Sequence, residues 1–233
     1  MKAFLLAAGI GSRLRPITDT TPKCLVDIGG QALVDIWLDA FARAGVEQVL
    51  INTHHLPDAV RAHIAARTGP PDVRLVFEPE LLGSAGTLVA NRQWVADEEF
   101  FLAGNADNLT DFDLRDLIAA HRSGDSIATL AAFHSDNPSS GGVLEVDQSG
   151  LIVGFTEKPA APVSDLVNAG IYAFSPALLD EIEQPPPVDI GYHLLPRLVG
   201  RARAVPVTGY FRDIGTPEAY RKAREEWPAV VAR

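Results

Sequence analysis

Short apolar runs alternate along this chain with segments in which apolar residues recur every three or four positions. Lys2 to Ala8 is a compact apolar run ending at Gly9 and reads as a buried strand. Leu33, Val34, Trp37, Leu38, Phe41 and Ala44 mark one face of a helix that starts at Ala32 and ends at Gly45, which puts Trp37 in the core. The same reading gives strands at 49–53 and 73–77, a helix at 57–67, a short helix at 84–92, a strand at 100–104 and a helix at 114–121. Strands alternating with helices predict a parallel sheet with right-handed crossovers. After about residue 125 the rhythm changes. Residues 127–133, 143–146, 151–155 and 167–174 are close-set strands, expected as an antiparallel or mixed extension of the same sheet. Residues 184–187 (Gln-Pro-Pro-Pro) read as a surface loop, and 218–226 as a polar closing helix. No repeat or linker divides the chain, so one domain over 1–233 is expected, with a first part to about 125 and a second from about 126.

Composition narrows this picture. A chain of 233 residues suits one α/β domain with a core of ordinary size, and 47% hydrophobic with 21% charged residues is a soluble composition. The single cysteine, Cys24, excludes an internal disulfide and fits a reducing cytoplasm. No apolar stretch is long enough for a membrane span. The run from Ala3 to Ala8 is also shorter than the roughly 7–15 residues of a signal-peptide core. A net charge of −10 argues against nucleic acid as a partner. An acidic protein that handles an anion must gather positive charge locally or use a metal. The only lysines are Lys2, Lys23, Lys158 and Lys222, and two of them fall in the motifs below.

The first motif is Leu6-Ala7-Ala8-Gly9-Ile10-Gly11-Ser12-Arg13-Leu14-Arg15-Pro16, continuing to Thr21-Pro22-Lys23. It follows a strand, where open α/β sheets bind ligands. Glycines let backbone N–H groups approach phosphates, an arginine can fork onto phosphate oxygens, and a lysine adds a point charge. It is not a Walker loop, because the lysine comes 12 residues after Gly11. It is not a dinucleotide fingerprint either, because Leu14 takes the third glycine position and Pro16 follows.

The pattern Gly9-x-Gly11-Ser12-Arg13-Leu14 with Pro22-Lys23 closely resembles the sugar-1-phosphate nucleotidyltransferases, which join a nucleoside triphosphate to a sugar 1-phosphate and release pyrophosphate. The resemblance implies a Rossmann-like mixed, mainly parallel sheet flanked by helices, of the nucleotide-diphospho-sugar transferase type. It also implies that Leu6, Ala8, Gly9, Gly11, Ser12, Arg13 and Lys23 hold the nucleotide. Further motifs follow in the family's order. Asn105-Ala106-Asp107-Asn108 supplies a metal-binding Asp107, with Asn105 near the sugar; Ala106 stands where members often have Gly. A bland reading of Asp107 is a helix cap. Phe211-Arg212-Asp213-Ile214-Gly215-Thr216-Pro217 resembles the second carboxylate segment, with Phe211 in place of Trp; Thr216-Pro217 also reads as a helix N-cap with Pro at N1. Asp107 and Asp213 together would hold Mg²⁺.

Glu157-Lys158-Pro159 resembles the acceptor motif, with Glu157 on sugar hydroxyls and Lys158 on the sugar's phosphate. Asn168 and Gly142 would also line the sugar. Gly141 stands where many members have Tyr, so that side of the pocket is expected to be more open. Glu78-Pro79-Glu80-Leu81-Leu82-Gly83 resembles the base-binding segment, with Glu78 and the Gly83 backbone facing the base. A carboxylate only accepts hydrogen bonds, which suits guanine or uracil better than adenine.

These motifs run from Leu6 to Glu218, nearly the whole chain. The C-terminal left-handed β-helix of longer acyltransferase members has no counterpart, so a short, single-domain member is expected. The segment Gly209 to Gly215 looks most like the heptose-1-phosphate guanylyltransferases, and the N-acetylmuramate-1-phosphate uridylyltransferases are also similar. The implied reaction is in-line attack of the acceptor phosphate on the α-phosphorus, with Arg13, Lys23, Asp107 and Asp213 as the catalytic set. A catalytically silent sugar-nucleotide sensor and an alkyl-phosphate acceptor are the other readings. Base, sugar and a homo-oligomeric state are left open. His54, His55 and His63 lack the companions of a zinc site, because adjacent histidines on a strand end point apart. Cys24 reads as a small buried residue rather than a reactive thiol.

Overall fold

The structure, a computed structural model, describes residues 1–182 and 185–232. Of the Gln-Pro-Pro-Pro loop, Gln184 lies outside the described residues. The chain forms two compact units. One comprises Met1–Leu81, Gly104–Asp113 and Thr208–Arg233, the other Leu82–Ala103 and Leu114–Val207. No single cut near residue 125 separates them, because the segments interleave.

In the first unit the strand Lys2–Leu6 pairs in parallel with Gln48–Thr53, which pairs in parallel with Asp72–Phe77. Ala3, Phe4, Leu5, Val49, Leu50 and Ile51 have no exposed surface, as expected for a parallel sheet covered on both faces. The helix Leu33–Arg43 packs the predicted apolar stripe inward, and Trp37 is 3% exposed. Gly45, in the left-handed region, follows it. The first strand ends at Leu6 rather than Ala8, because the Ala7 N–H leaves the ladder and donates to Asn52 Oδ1 at 2.7 Å. The closing helix runs Pro217–Val231, and Thr216 Oγ1 accepts the Ala219 N–H, so the expected cap forms.

In the second unit Leu166–Phe174 pairs antiparallel with Ala128–His134, and Gly142–Val146 pairs antiparallel with Ile152–Glu157. Ala202–Pro206 adds a parallel partner to Ala128–His134. The expected class, a Rossmann-like mixed sheet flanked by helices, is the observed one, with its antiparallel pairs after residue 125. The single helix expected at 84–92 is two, Ser84–Ala90 and Arg92–Val95. Asn91 interrupts it by donating its side-chain amide to the Thr87 carbonyl at 2.9 Å. No helix among the described residues is long and apolar enough to cross a membrane.

Candidate active site

The glycine loop of the first unit is a chain of tight turns. Gly11 adopts φ +68°, and a Cβ there would come within 2.8 Å of Thr18 Cγ2. Its carbonyl accepts both the Leu14 N–H at 2.9 Å and the Thr18 hydroxyl at 2.8 Å. Glycine is therefore required twice over, by backbone handedness and by space. Leu14, which breaks the dinucleotide fingerprint, is fully buried and pins the loop to the core. Gly9, Ser12 and Arg13 stay exposed, Leu6 is half-buried and Ala8 is buried.

Two segments far apart in sequence then meet. Asn108–Thr110 pairs antiparallel with Phe211–Asp213, with Asp213 opposite Asn108. The Ile214 N–H donates to the Asp107 carbonyl at 3.0 Å, so this ribbon sets Asp107 beside Asp213. The Ala106 N–H donates to the Leu6 carbonyl at 3.0 Å, which ties Asp107 to the end of the first strand. Lys23 Nζ lies 2.7 Å from Asp107 Oδ2 and is largely enclosed, with 10% side-chain exposure. Arg13 lies against Gly215, where a Cβ would come within 2.8 Å of its guanidinium. Asp213 keeps contact with solvent but is crowded, and its Oδ1 accepts the Gly215 N–H at 2.7 Å. Partial loss of water around the carboxylate raises its pKa, and the Asp107 charge raises it further; Lys23, the Gly215 N–H and Arg13 pull it down. Two carboxylates, a lysine and an arginine thus share one small region of the first unit.

Trp37 does more than fill the core. Its indole N–H donates to the Asn108 carbonyl at 2.8 Å, and its ring lies where a Cβ on Gly104 would be, 2.9 Å away. The helix therefore braces the strand that delivers Asp107, with Asn105 half-buried at that strand's end. Glu78, expected at a base, is 2% exposed, and its Oε1 accepts from Asn52 Nδ2 at 2.9 Å. Asn52 is the hub, since its own Oδ1 accepts the Ala7 N–H that opens the glycine loop. The sequence signal for Asn52 was slight, a polar residue closing an apolar run. His54 donates from Nδ1 to the Glu78 carbonyl and His55 from Nε2 to the Thr18 carbonyl, both at 2.8 Å. Both rings are engaged in holding backbone.

In the second unit Glu157 stands opposite Gly142 in the antiparallel pair. A Cβ on Gly142 would come 2.7 Å from Glu157 Oε2 and 2.6 Å from Phe155 Cζ. A Cβ on Gly191 would come 2.5 Å from the same Oε2. The carboxylate is thus flanked by two glycines. Burial raises its pKa, the neighbouring Lys158 lowers it and Asp189 raises it. Lys158 itself is at φ +47°, a strained backbone for a residue with a side chain, and its N–H donates to the Gly141 carbonyl at 2.9 Å. At Gly141 a Cβ would meet Val167 Cγ1 at 2.6 Å, so the chain leaves that position without a side chain. The amide of Asn168 is engaged with the Tyr172 hydroxyl at 2.8 Å and the Gly170 N–H at 3.0 Å, which holds the bulge in its own strand. Gly83 opens the helix Ser84–Ala90, next to Leu82, whose carbonyl accepts the Val188 N–H at 2.8 Å.

A strand-end glycine loop followed by converging carboxylates is the ligand end of an open α/β sheet, and the class is that of the nucleotide-handling α/β proteins. Within that class this chain belongs to the nucleotidyl transferase family, whose sequence profile matches residues 2–229. It is 31% identical over 225 residues to the mannose-1-phosphate guanylyltransferase catalytic subunit beta of Dictyostelium discoideum, covering 94% of this chain and 62% of that protein. The chain thus spans about three fifths of the length of the curated relatives it matches. The fold is that of a putative glucose-1-phosphate thymidylyltransferase from Bacillus anthracis, with a TM-score of 0.84, 22% identity, and 97% of this chain and 94% of that one covered. It is also that of HddC from Yersinia pseudotuberculosis complexed with GMP-PN, with a TM-score of 0.80, 24% identity and coverage of 97% and 99%.

Proposed function

We propose that this chain transfers a nucleotidyl group from a nucleoside triphosphate to a sugar 1-phosphate, giving a nucleotide-sugar and pyrophosphate. The observation that carries this reading is the ribbon that sets Asp107 beside Asp213 with Lys23 Nζ at 2.7 Å from Asp107. A purely structural ribbon has no need of two converging carboxylates. GTP with a mannose- or heptose-type 1-phosphate is the first pair to try, supported by the mannose-1-phosphate guanylyltransferase relatives and by the GMP-PN complex of HddC. UTP with an N-acetylmuramate or hexose 1-phosphate is the second.

The attacking group is already a phosphate anion, so no strong general base is needed, and the work reduces to positioning and charge neutralisation. Lys158 holds the acceptor's phosphate, and Glu157, Gly142 and Asn168 line its sugar. Arg13 and Lys23, with the N–H groups of the loop from Gly9 to Ser12, hold the triphosphate and the departing pyrophosphate. Asp107 and Asp213 suit a hard divalent cation, because their carboxylates offer oxygens beyond the one that Lys23 pairs with. Mg²⁺ bound there would neutralise phosphate charge and orient the oxygens. A cytoplasmic setting agrees with the single, buried, free cysteine.

The test is a matrix of triphosphates and sugar 1-phosphates, read by pyrophosphate release and by the mass of the product, with and without Mg²⁺. One pair is expected to turn over, and only with the metal. Nucleotide binding without pyrophosphate from any pair would overturn the reading in favour of a sugar-nucleotide sensor.

A further inference from the structure

The turn Ile190–Leu194 carries no motif in the sequence, yet its consecutive residues touch both consecutive acceptor residues. It is a single wide π-helical turn, a form that recurs at functional positions. Its start is tied down. Asp189 accepts the Gly191 N–H at 2.9 Å, the Asp189 N–H donates to His193 Nδ1 at 2.9 Å, and the Ile190 N–H donates to Ser84 Oγ at 2.8 Å. Ile190 and Leu194 are each 2% exposed and anchor its sides, while Tyr192 between them is 54% exposed. Gly191 lies against the Glu157 carboxylate, and the ring of Tyr192 lies under the Lys158 ammonium, with Nζ 5.7 Å from its centroid. An ammonium within about 6 Å of a ring centroid is attracted by the ring's quadrupole. Lys158 is already held in a left-handed backbone, so its side chain starts from a fixed direction.

We propose that Tyr192 is a positioning residue of the acceptor half: its ring holds the Lys158 ammonium in place for the acceptor's phosphate. The inference rests on the reading of Lys158 given above. The hydroxyl plays no part in it. The aromatic face does, so phenylalanine should serve and leucine should not.

The chain has only four lysines, which makes the contact directly readable. In the full chain with ¹³C-labelled lysine, the Lys158 ε-CH₂ resonance, assigned by its absence in Lys158→Arg, should be displaced upfield by the ring. Tyr192→Leu should abolish the displacement and Tyr192→Phe should keep it. Titration with inorganic phosphate, followed at the same resonance, should give a dissociation constant about fivefold weaker in Tyr192→Leu and unchanged in Tyr192→Phe. With a turning-over pair, KM for the sugar 1-phosphate should rise about fivefold in Tyr192→Leu while KM for the triphosphate stays put. An undisplaced Lys158 resonance in the wild type, or equal phosphate affinity in the leucine and wild-type chains, overturns the proposal. If the wild type releases no pyrophosphate with any pair, the functional reading fails by itself, and the resonance and the phosphate titration still decide the Tyr192 contact.

Discussion

In the first unit the candidate site side chains are held by charge. Lys23 is paired with Asp107 at 2.7 Å, Asp213 is crowded against Asp107, and Arg13 leans on Gly215. In the second unit they are held by shape. Glu157 is flanked by Gly142 and Gly191 with no room for a methyl group, Lys158 sits on a left-handed backbone, and its ammonium lies over the Tyr192 ring. The difference follows the ligands proposed for each. A triphosphate and a divalent cation are recognised by charge, and charges reach across a few ångströms. A sugar is recognised by the placement of single hydroxyls, and a buried site shaped for them tolerates little displacement. If so, the first unit should be most sensitive to removing charge and the second to adding volume.

Lys23→Ala is the hardest blow to the first unit. It removes the cation paired with Asp107 and leaves Asp213 beside Asp107 with only the Gly215 N–H and Arg13 to offset the repulsion. Turnover should fall on the order of 10²-fold or more, as for other lost charge stabilisers. Pyrophosphate release at saturating substrates measures it, and a rate near that of the wild type would sink the assignment.

Asn52→Leu tests whether charge alone organises that unit. Asn52 links the Ala7 N–H to Glu78, and both side chains are buried, at 4% and 2% exposure. Leucine leaves the Ala7 N–H without its acceptor and removes a donor from the Glu78 carboxylate. The cost should be about 2 kcal/mol, the range for a buried polar group stripped of its partner. Urea unfolding reads it, with the slope checked for constancy. A loss below about 0.5 kcal/mol, the size of an ordinary surface change, would show that the loop is anchored elsewhere.

What could be read from the sequence follows the same division. Gly11, Arg13, Lys23, Asp107 and Asp213 could be picked out only as a set: turns and caps explain a glycine or an Asp beside a strand end one at a time, but not an arginine, a lysine and two carboxylates in one family's order. The strand and helix pattern was legible too, since burial on both sheet faces leaves continuous apolar runs. Glu78 shows what a motif leaves out: the residue type suggested an edge for a base, and only the fold shows that its Oε1 also accepts from Asn52. Gly191 and Tyr192 were not legible at all. Their meaning lies in what a π-helical turn places beside Glu157 and Lys158, and no spacing along the chain encodes a contact made across more than thirty residues. The interleaving of the two units was hidden for the same reason.

Gly142→Ala is the corresponding test of shape. The backbone there accepts alanine, but the new methyl would meet Phe155 Cζ and Glu157 Oε2 at 2.6 and 2.7 Å, so the carboxylate must shift. KM for the sugar 1-phosphate should rise about tenfold, about 1.4 kcal/mol, with KM for the triphosphate unchanged. A matching rise in both constants would dissolve the contrast between the units.

The smallest effect concerns Cys24, next to Lys23. A lysine ammonium beside a thiol can stabilise the thiolate, and a thiolate would offer Lys23 a second anion and blur the ion pair with Asp107. Burial forbids it: Cys24 is 2% exposed, and burial pushes its thiol up to about 12 from an ordinary 9.0. At pH 8 that leaves on the order of a thousandfold less thiolate than in an unfolded chain. Iodoacetamide should therefore label the native protein far more slowly than the protein in urea, with turnover unchanged over the same interval. The sign of the linked stability follows from the same shift. The folded thiol keeps its proton while the unfolded one loses it, so its contribution is complete below about pH 9 and is lost as the pH rises towards 12. Rapid labelling of the native chain at neutral pH would mean that Lys23 shares its charge with Cys24, and that the pairing with Asp107 is not what sets the first unit apart.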